Sequence, residues 1–224
     1  MNHAALPGMI RRSIILVRKY GYTGVMSIGS AKPLVVTTGW AMGSYVTAAG
    51  LQLRATGNIE VSLRALVVCL AGALYTNLFE HIWHRYAMHG RRPDPRHATH
   101  HRLFYGERFQ TSDAAALREI VTGWYVFPLL LTVHYAAFIL LFGSGLAPAF
   151  FLGVVLHFLT YEVTHWYTHV ANNGFDRFLA RIPGLSGLRS MQIRHHRRHH
   201  AEPMVNFNFN PPYAGDRLAG VLRR

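Results

Sequence analysis

The chain has 224 residues, of which half are hydrophobic, yet 23 Lys and Arg against 10 Asp and Glu leave a net charge of +13. Apolar and basic material must therefore be segregated along it. Its single cysteine, Cys69, excludes a disulfide framework and a thiolate metal site, and the absence of a Gly-rich phosphate loop, a G-x-S-x-G elbow and a 20–50-residue repeat excludes several common enzyme and solenoid classes.

In chain order, residues 1–33 carry Arg11, Arg12, Arg18 and Lys19 with no adequate apolar stretch behind them. This segment is expected to be a cytoplasmic N-terminal piece and not a cleavable signal peptide. Residues 34–224 are expected to form one membrane-embedded domain. Pro33 to Leu53 is an uncharged run rich in threonine and glycine. Ile59 to Trp83 follows, interrupted by Arg64, whose long side chain can snorkel to the interface. The alternative for this second stretch is a buried helix of a soluble core, because its uncharged part, Ala65 to Phe79, is only 15 residues long.

From Ile120 to Tyr161 there is no charged Asp, Glu, Lys or Arg in 42 residues. That is about twice the roughly 20 residues a helix needs to cross the hydrocarbon core. The turn-forming stretch Gly143 to Pro148 divides it, which predicts a hairpin of two spans. The fold class expected is an all-α integral-membrane helical bundle of about four spans.

Charge sets the orientation. With four spans, 21 of the 23 basic residues fall on one side, and only Arg54 and Arg64 on the other. The Lys and Arg excess marks the cytoplasmic face, so both termini are expected there. A nucleic-acid partner reading Arg194–Arg198 as a patch is set aside, because the anionic inner leaflet accounts for the same charge.

Ten of the 15 histidines fall into four clusters: His84 and His89; His97, His100 and His101; His165 and His169; His196, His199 and His200. Neutral imidazole is the commonest metal donor, and residues three and four apart share a helix face. His97–His100–His101, His165–His169 and His196–His199–His200 satisfy that spacing. All four clusters land on the cytoplasmic side of a topology derived without them. Ten histidines are too many for one zinc and awkward for two tetrahedral ones. Split between two metals they give five each, close to octahedral with one open position, which favours iron able to bind dioxygen.

Glu80 and Glu162 share helix faces with the histidines near the membrane boundary. Their expected task is to accept imidazole N–H groups and offset the dimetal charge, against plain pairing with a basic residue such as Arg85. Tyr161, four residues before His165, could stand near the oxidant. Tyr161 and Glu162 are the candidate catalytic side chains. His134 and His157 lie inside spans, where an ionisable residue is functional by default. His157 is a candidate for lining an acyl channel, against a neutral histidine bonded to a neighbouring helix. His195 offers an alternative register to His196, a helix places His81 about 60° from His84, and His3 is read as a surface residue.

The set His84-x4-His89, His97-x2-His100-His101, His165-x3-His169 and His196-x2-His199-His200 resembles the fatty acid hydroxylase superfamily of membrane diiron oxygenases. That family includes sterol desaturases, carotenoid hydroxylases and fatty acid 2-hydroxylases. The match runs from about Glu80 to Asn210. The x4 spacing, with Glu80 ahead of it, is similar to the 2-hydroxylase and carotenoid hydroxylase branches. Glu162 stands where Asp is common, and Val170 replaces a second histidine after His169. The N-terminal haem-binding donor domain of some relatives is not seen.

The resemblance implies two iron ions on the ten histidines and O2 as co-substrate. It also implies a lipid drawn from the bilayer, a separate electron-donor protein and no nucleic acid. The reaction expected is hydroxylation of a lipid acyl chain, with desaturation, or a carotenoid or sterol substrate, as neighbouring alternatives. A zinc hydrolase would need a general-base motif such as H-E-x-x-H, which is absent. A non-enzymatic metal-binding or transport protein would place ionisable ligands at mid-membrane.

Overall fold

The computed structural model describes residues 31–57 and 62–223. The N-terminal segment up to Ser30, with His3 and its basic residues, and Ile59 at the start of the second apolar stretch lie outside the described residues. The described residues are helical, and the one β-bridge among them joins Thr111 and Val170.

Four long helices form the body: α1 (Lys32–Thr56), α2 (Leu63–Ile82), continued by a π-helical turn at Trp83–Met88, and, after the cap helices α3 (Pro95–Leu103) and α4 (Ala114–Leu117), α5 (Val126–Phe142) and α6 (Ala147–His169). Three further helices follow: α7 (Gly174–Leu179), α8 (Leu185–Ala201) and α9 (Ala214–Leu218). Local chemistry sets their limits. Ser62 accepts the Ala65 N–H to start α2, and Asp94 accepts the His97 N–H ahead of Pro95 to start α3. Gly57 and Gly143 end α1 and α5 at φ of 68° and 80°.

The expected hairpin is present, with α5 and α6 joined by residues 143–146. Helix ends alternate. Near the start of α1, Leu34 packs with Phe104, Leu117, Ile120, Val121, Trp166 and Val170, and Thr37 donates to the Thr122 carbonyl at 3.0 Å. At the far end Tyr45 donates to the Pro148 carbonyl at 3.1 Å, and Gln52 reaches the Ser144 carbonyl. The start of α1, the end of α2, the start of α5 and the end of α6 thus share one end of the bundle, where the histidines lie.

The tightest packing joins α2 and α6. A Cβ on Gly72 would overlap the Phe150 carbonyl, and one on Gly153 the Cys69 carbonyl. Glycine at both crossings lets the two backbones touch, the small-residue device of helix packing in lipid. Leu63–Met88 and Ala147–His169 are long and apolar enough to cross a membrane. The apolar helix α5 has 17 residues, and α1 has 25 but is rich in threonine and glycine. Leu63, Leu70, Leu140 and Leu141 stand 62–85% exposed, so these helices carry large apolar side chains on their outer faces.

Candidate metal centre

The π-turn and three helices bring the ten histidines together at the shared end of the bundle. His84, His89, His97, His101 and His199 place one ring nitrogen each within 4.8 Å of one another, and His100, His165, His169 and His196 do the same. His200 joins the second set, its Nε2 lying 3.0 Å from that of His196 and 3.1 Å from that of His100.

The two sets of five are built alike. One takes His84 and His89 from the end of α2, the other His165 and His169 from the end of α6. Each H-x-x-H-H cluster then divides: on α3, His97 and His101 serve the first set and His100 the second, while on α8, His196 and His200 serve the second and His199 the first. The sequence expectation of three donors on one face becomes a split, because the neighbours His100 and His101, like His199 and His200, diverge by about 100° around their helix.

Within each set the Nε2 atoms face one another. His97 lies 2.9–3.1 Å from His84, His89 and His101, and His196 lies 3.0 Å from His165, His169 and His200. A single N–H on His97 or His196 can satisfy only one of three such neighbours. Three carbonyls sharpen the point. His84, His169 and His199 donate Nδ1–H to the carbonyls of Phe207, Phe109 and Val205 at 2.5, 2.8 and 2.8 Å. A carbonyl only accepts, so each of these rings turns an Nε2 lone pair inward.

Lone pairs converging at 3.0 Å call for a cation. With metal–nitrogen bonds of about 2.1 Å, cis-octahedral ligands sit about 3.0 Å apart and tetrahedral ones about 3.4 Å. The observed contacts match the octahedral spacing, and the residues fit a pair of metal ions.

Electrostatics point the same way. Burial, reinforced by the surrounding imidazoles, holds His97, His100, His196, His199 and His200 well below the usual histidine range. Burial alone lowers His89 to about 4, and with its neighbours His101 to about 2. These rings are neutral at physiological pH, the form that ligates.

The carboxylates are placed differently from expectation. Glu80 pairs with His157 Nε2 at 2.9 Å and accepts the Phe209 N–H. Glu162, fully buried, accepts the Thr122 N–H at 3.2 Å. Neither touches a clustered imidazole, and backbone carbonyls take the orienting role instead. The reason is local: loop segments around Phe109 and Val205–Phe207 pass directly behind the rings. Tyr161 packs against His165 with its ring tilted by 35°, ring centres 5.2 Å apart. His134 bonds the Leu130 carbonyl within its own helix. His81 and His195 both face Asp216, away from the two sets. The carbonyls of Phe109, Val205 and Phe207 were invisible to sequence reasoning, since a backbone acceptor leaves no residue signature.

Two small cavities adjoin the centre. One of about 90 Å³ is walled by Thr76, Phe79, Val126, Leu130 and Phe158 and reaches His84, His157 and Tyr161. The other, about 120 Å³, reaches His97 and His165, and the two share Trp83, Met88, Thr122, Val126 and Tyr161. A much larger groove between α1 and α5 is lined by none of the histidines. Proximity to the donors makes the smaller pair the relevant one.

The architecture is that of a helical bundle whose apolar helices end in a double histidine set. No protein-family model and no curated protein sequence matches this chain. Its fold is similar to a solved structure of full-length Scs7p in which only the hydroxylase domain is visible, with a TM-score of 0.55 and 19% identity over 86% of this chain and 67% of that one. The likeness is one of fold. It agrees in fold with the resemblance carried by the histidine spacing.

Proposed function

We propose that this chain is an integral-membrane diiron oxygenase that hydroxylates a lipid acyl chain. The observation that carries the reading is the pair of five-nitrogen sets at octahedral spacing beside an apolar cavity. His84, His89, His97, His101 and His199 would hold one iron ion, and His100, His165, His169, His196 and His200 the other. Bound there, the ions supply activation of dioxygen and removal of hydrogen from an unactivated C–H bond.

The chain's own residues bind and orient. Phe79, Val126, Leu130 and Phe158 receive the lipid tail and exclude water, and Tyr161 with His84 borders the reacting carbon. One oxygen atom enters the C–H bond. The other leaves as water, with two electrons drawn from a separate donor protein and two protons from solvent. All four long helices cross the bilayer, with both termini and the metal cap on the cytoplasmic side, where 21 of 23 basic residues gather. The ten clustered histidines lie at the helix ends and not at mid-span, which speaks against a transport path.

The test is isotopic. Lipids from cells expressing this chain with a compatible reductase should gain one hydroxyl in an acyl tail, labelled when labelled dioxygen is supplied. Label arriving only from water would eliminate the oxygenase reading. A labelled hydroxyl on a carotenoid ring or sterol would keep the chemistry and replace the substrate.

A further inference from the structure

His84 is braced from behind by a buried carboxylate acting through a peptide group. Its Nδ1–H donates to the Phe207 carbonyl at 2.5 Å. The N–H of that same peptide unit belongs to Asn208 and donates to Asp216 Oδ2 at 2.9 Å. The preceding N–H, of Phe207, donates to Asp216 Oδ1 at 2.9 Å. Asp216 is fully buried. His81 Nδ1 lies 2.8 Å from its Oδ1 and His195 Nε2 3.3 Å from its Oδ2.

The placement is specific. His81 is three residues before His84 on α2, and His195 immediately precedes His196 on α8. One carboxylate therefore touches both of those histidine-bearing helices and the peptide that holds His84. Gly215 makes the approach possible, because a Cβ there would overlap the His81 side chain. The comparable acceptor behind His199 is built otherwise: the Asn206 N–H of the Val205 peptide donates to the Val221 carbonyl, a neutral partner.

An anion accepting a peptide N–H draws electron density onto the carbonyl oxygen at the other end, and hydrogen bonds in series strengthen one another. A stronger acceptor at Nδ1 fixes the tautomer and orientation of an imidazole and raises the basicity of its Nε2, as a carboxylate does when it bonds a ligating histidine directly. We infer that Asp216 is a positioning residue: through the Phe207–Asn208 peptide it sets the orientation and donor strength of His84, and so the metal affinity of the set containing His84. This rests on the metal-centre reading above.

Cobalt(II) binding to the full chain in detergent tests it, followed by titration and by the ligand-field absorption of each ion. D216N keeps the shape, but its amide nitrogen cannot accept the second N–H. It should weaken one of the two cobalt ions by 10- to 100-fold, the range for partners of metal ligands, and alter that ion's spectrum alone. D216E should restore part of the loss. D176N, which breaks the 2.7 Å pair with Arg189, should lower thermal stability and leave both ions unchanged. D216N binding both ions with parental affinity and spectrum overturns the relay, whatever its melting temperature. Equal weakening of both ions overturns it too, as general loosening of the cap. If D216N does not fold, D216E carries the test, with a smaller loss confined to the same one ion expected and parental affinity fatal. A parental chain that binds no cobalt overturns the metal-centre reading itself, an outcome distinct from any Asp216 result.

Discussion

His89 donates its backbone N–H to the carbonyl of His84 at 3.0 Å, closing a turn one residue wider than an α-helical one. On a regular α-helix, residues five apart point about 140° away from each other. The π-turn brings them back into line, so the x4 spacing and the local widening are two views of one requirement. Such turns recur at functional sites.

Inserting one alanine after Ala87 should push His89 out of register and cost the first metal ion, halving metal content per chain. Deleting Ala87 leaves a spacing that an ordinary α-turn can align, and should retain more metal than the insertion. Equal metal in the two variants would sever the link between the turn and the site.

His97 and His196 each face three other imidazoles of their set. His97→Ala and His196→Ala should therefore each remove metal from one set and abolish hydroxylation. The outer donors His100→Ala and His199→Ala should also end activity. His134→Ala removes a ring that bonds the carbonyl four residues back and packs edge-on against Tyr75 and Phe79, with no contact to either set, and should leave metal content unchanged. Elemental analysis with product assay distinguishes these outcomes.

Much of this architecture is written in the sequence at the level of period and spacing. The uncharged run 120–161 with its central turn gives α5 and α6, and the i, i+4 pairs His97–His101, His165–His169 and His196–His200 each stay together in one set. What the sequence does not carry is set by groups without side-chain identity or by contacts distant along the chain. The carbonyls of Phe109, Val205 and Phe207 hold three rings, yet any residue could supply them. Glu80 lies on the expected face but turns to His157, 77 positions away. Asp216, remote from every histidine cluster in sequence, reaches the centre only because the chain after α8 folds back against α2.

Acid should weaken the metal-free protein. An unfolded histidine titrates near 6.5, whereas burial lowers His89 to about 4 and, with neighbouring imidazoles, His101 to about 2. Below pH 6.5 the unfolded chain binds protons that the folded one refuses. Stability is therefore fully present above pH 6.5 and falls as the pH drops through the window down to about 4, more slowly thereafter. Chemical denaturation of the chelated protein in detergent at pH 7.5 and pH 5 should show the midpoint moving down with acid. A midpoint that rises with acid would contradict neutral, buried rings.

The cavity walled by Thr76, Phe79, Val126, Leu130 and Phe158 makes a steric prediction. Leu130→Trp fills space that a tail would occupy and should lower kcat/KM on long acyl chains by about tenfold or more, with metal content intact. Leu130→Ala should tolerate the same chains. If Leu130→Trp leaves the chain-length profile unchanged, the tail runs elsewhere, and the larger groove between α1 and α5 becomes the place to look.

Topology follows from the alternation of helix ends. Gln52 and Ser144 meet at one end of the bundle, and Leu34, Phe104 and Trp166 at the other. If the four helices cross, residues near Gly57 and Ser144 share one side of the membrane, and the loop at Arg108 shares the opposite side with the C-terminus. The basic residues assign the second side to the cytoplasm. Reporter fusions after Gly57 and Ser144 should therefore read external, and fusions after Arg108 and at the C-terminus cytoplasmic. A cytoplasmic signal at Ser144 would mean that α5 and α6 enter without crossing. The metal cap would then lose its common membrane face, because His165 and His169 are carried at the end of α6, 21 and 25 residues beyond Ser144.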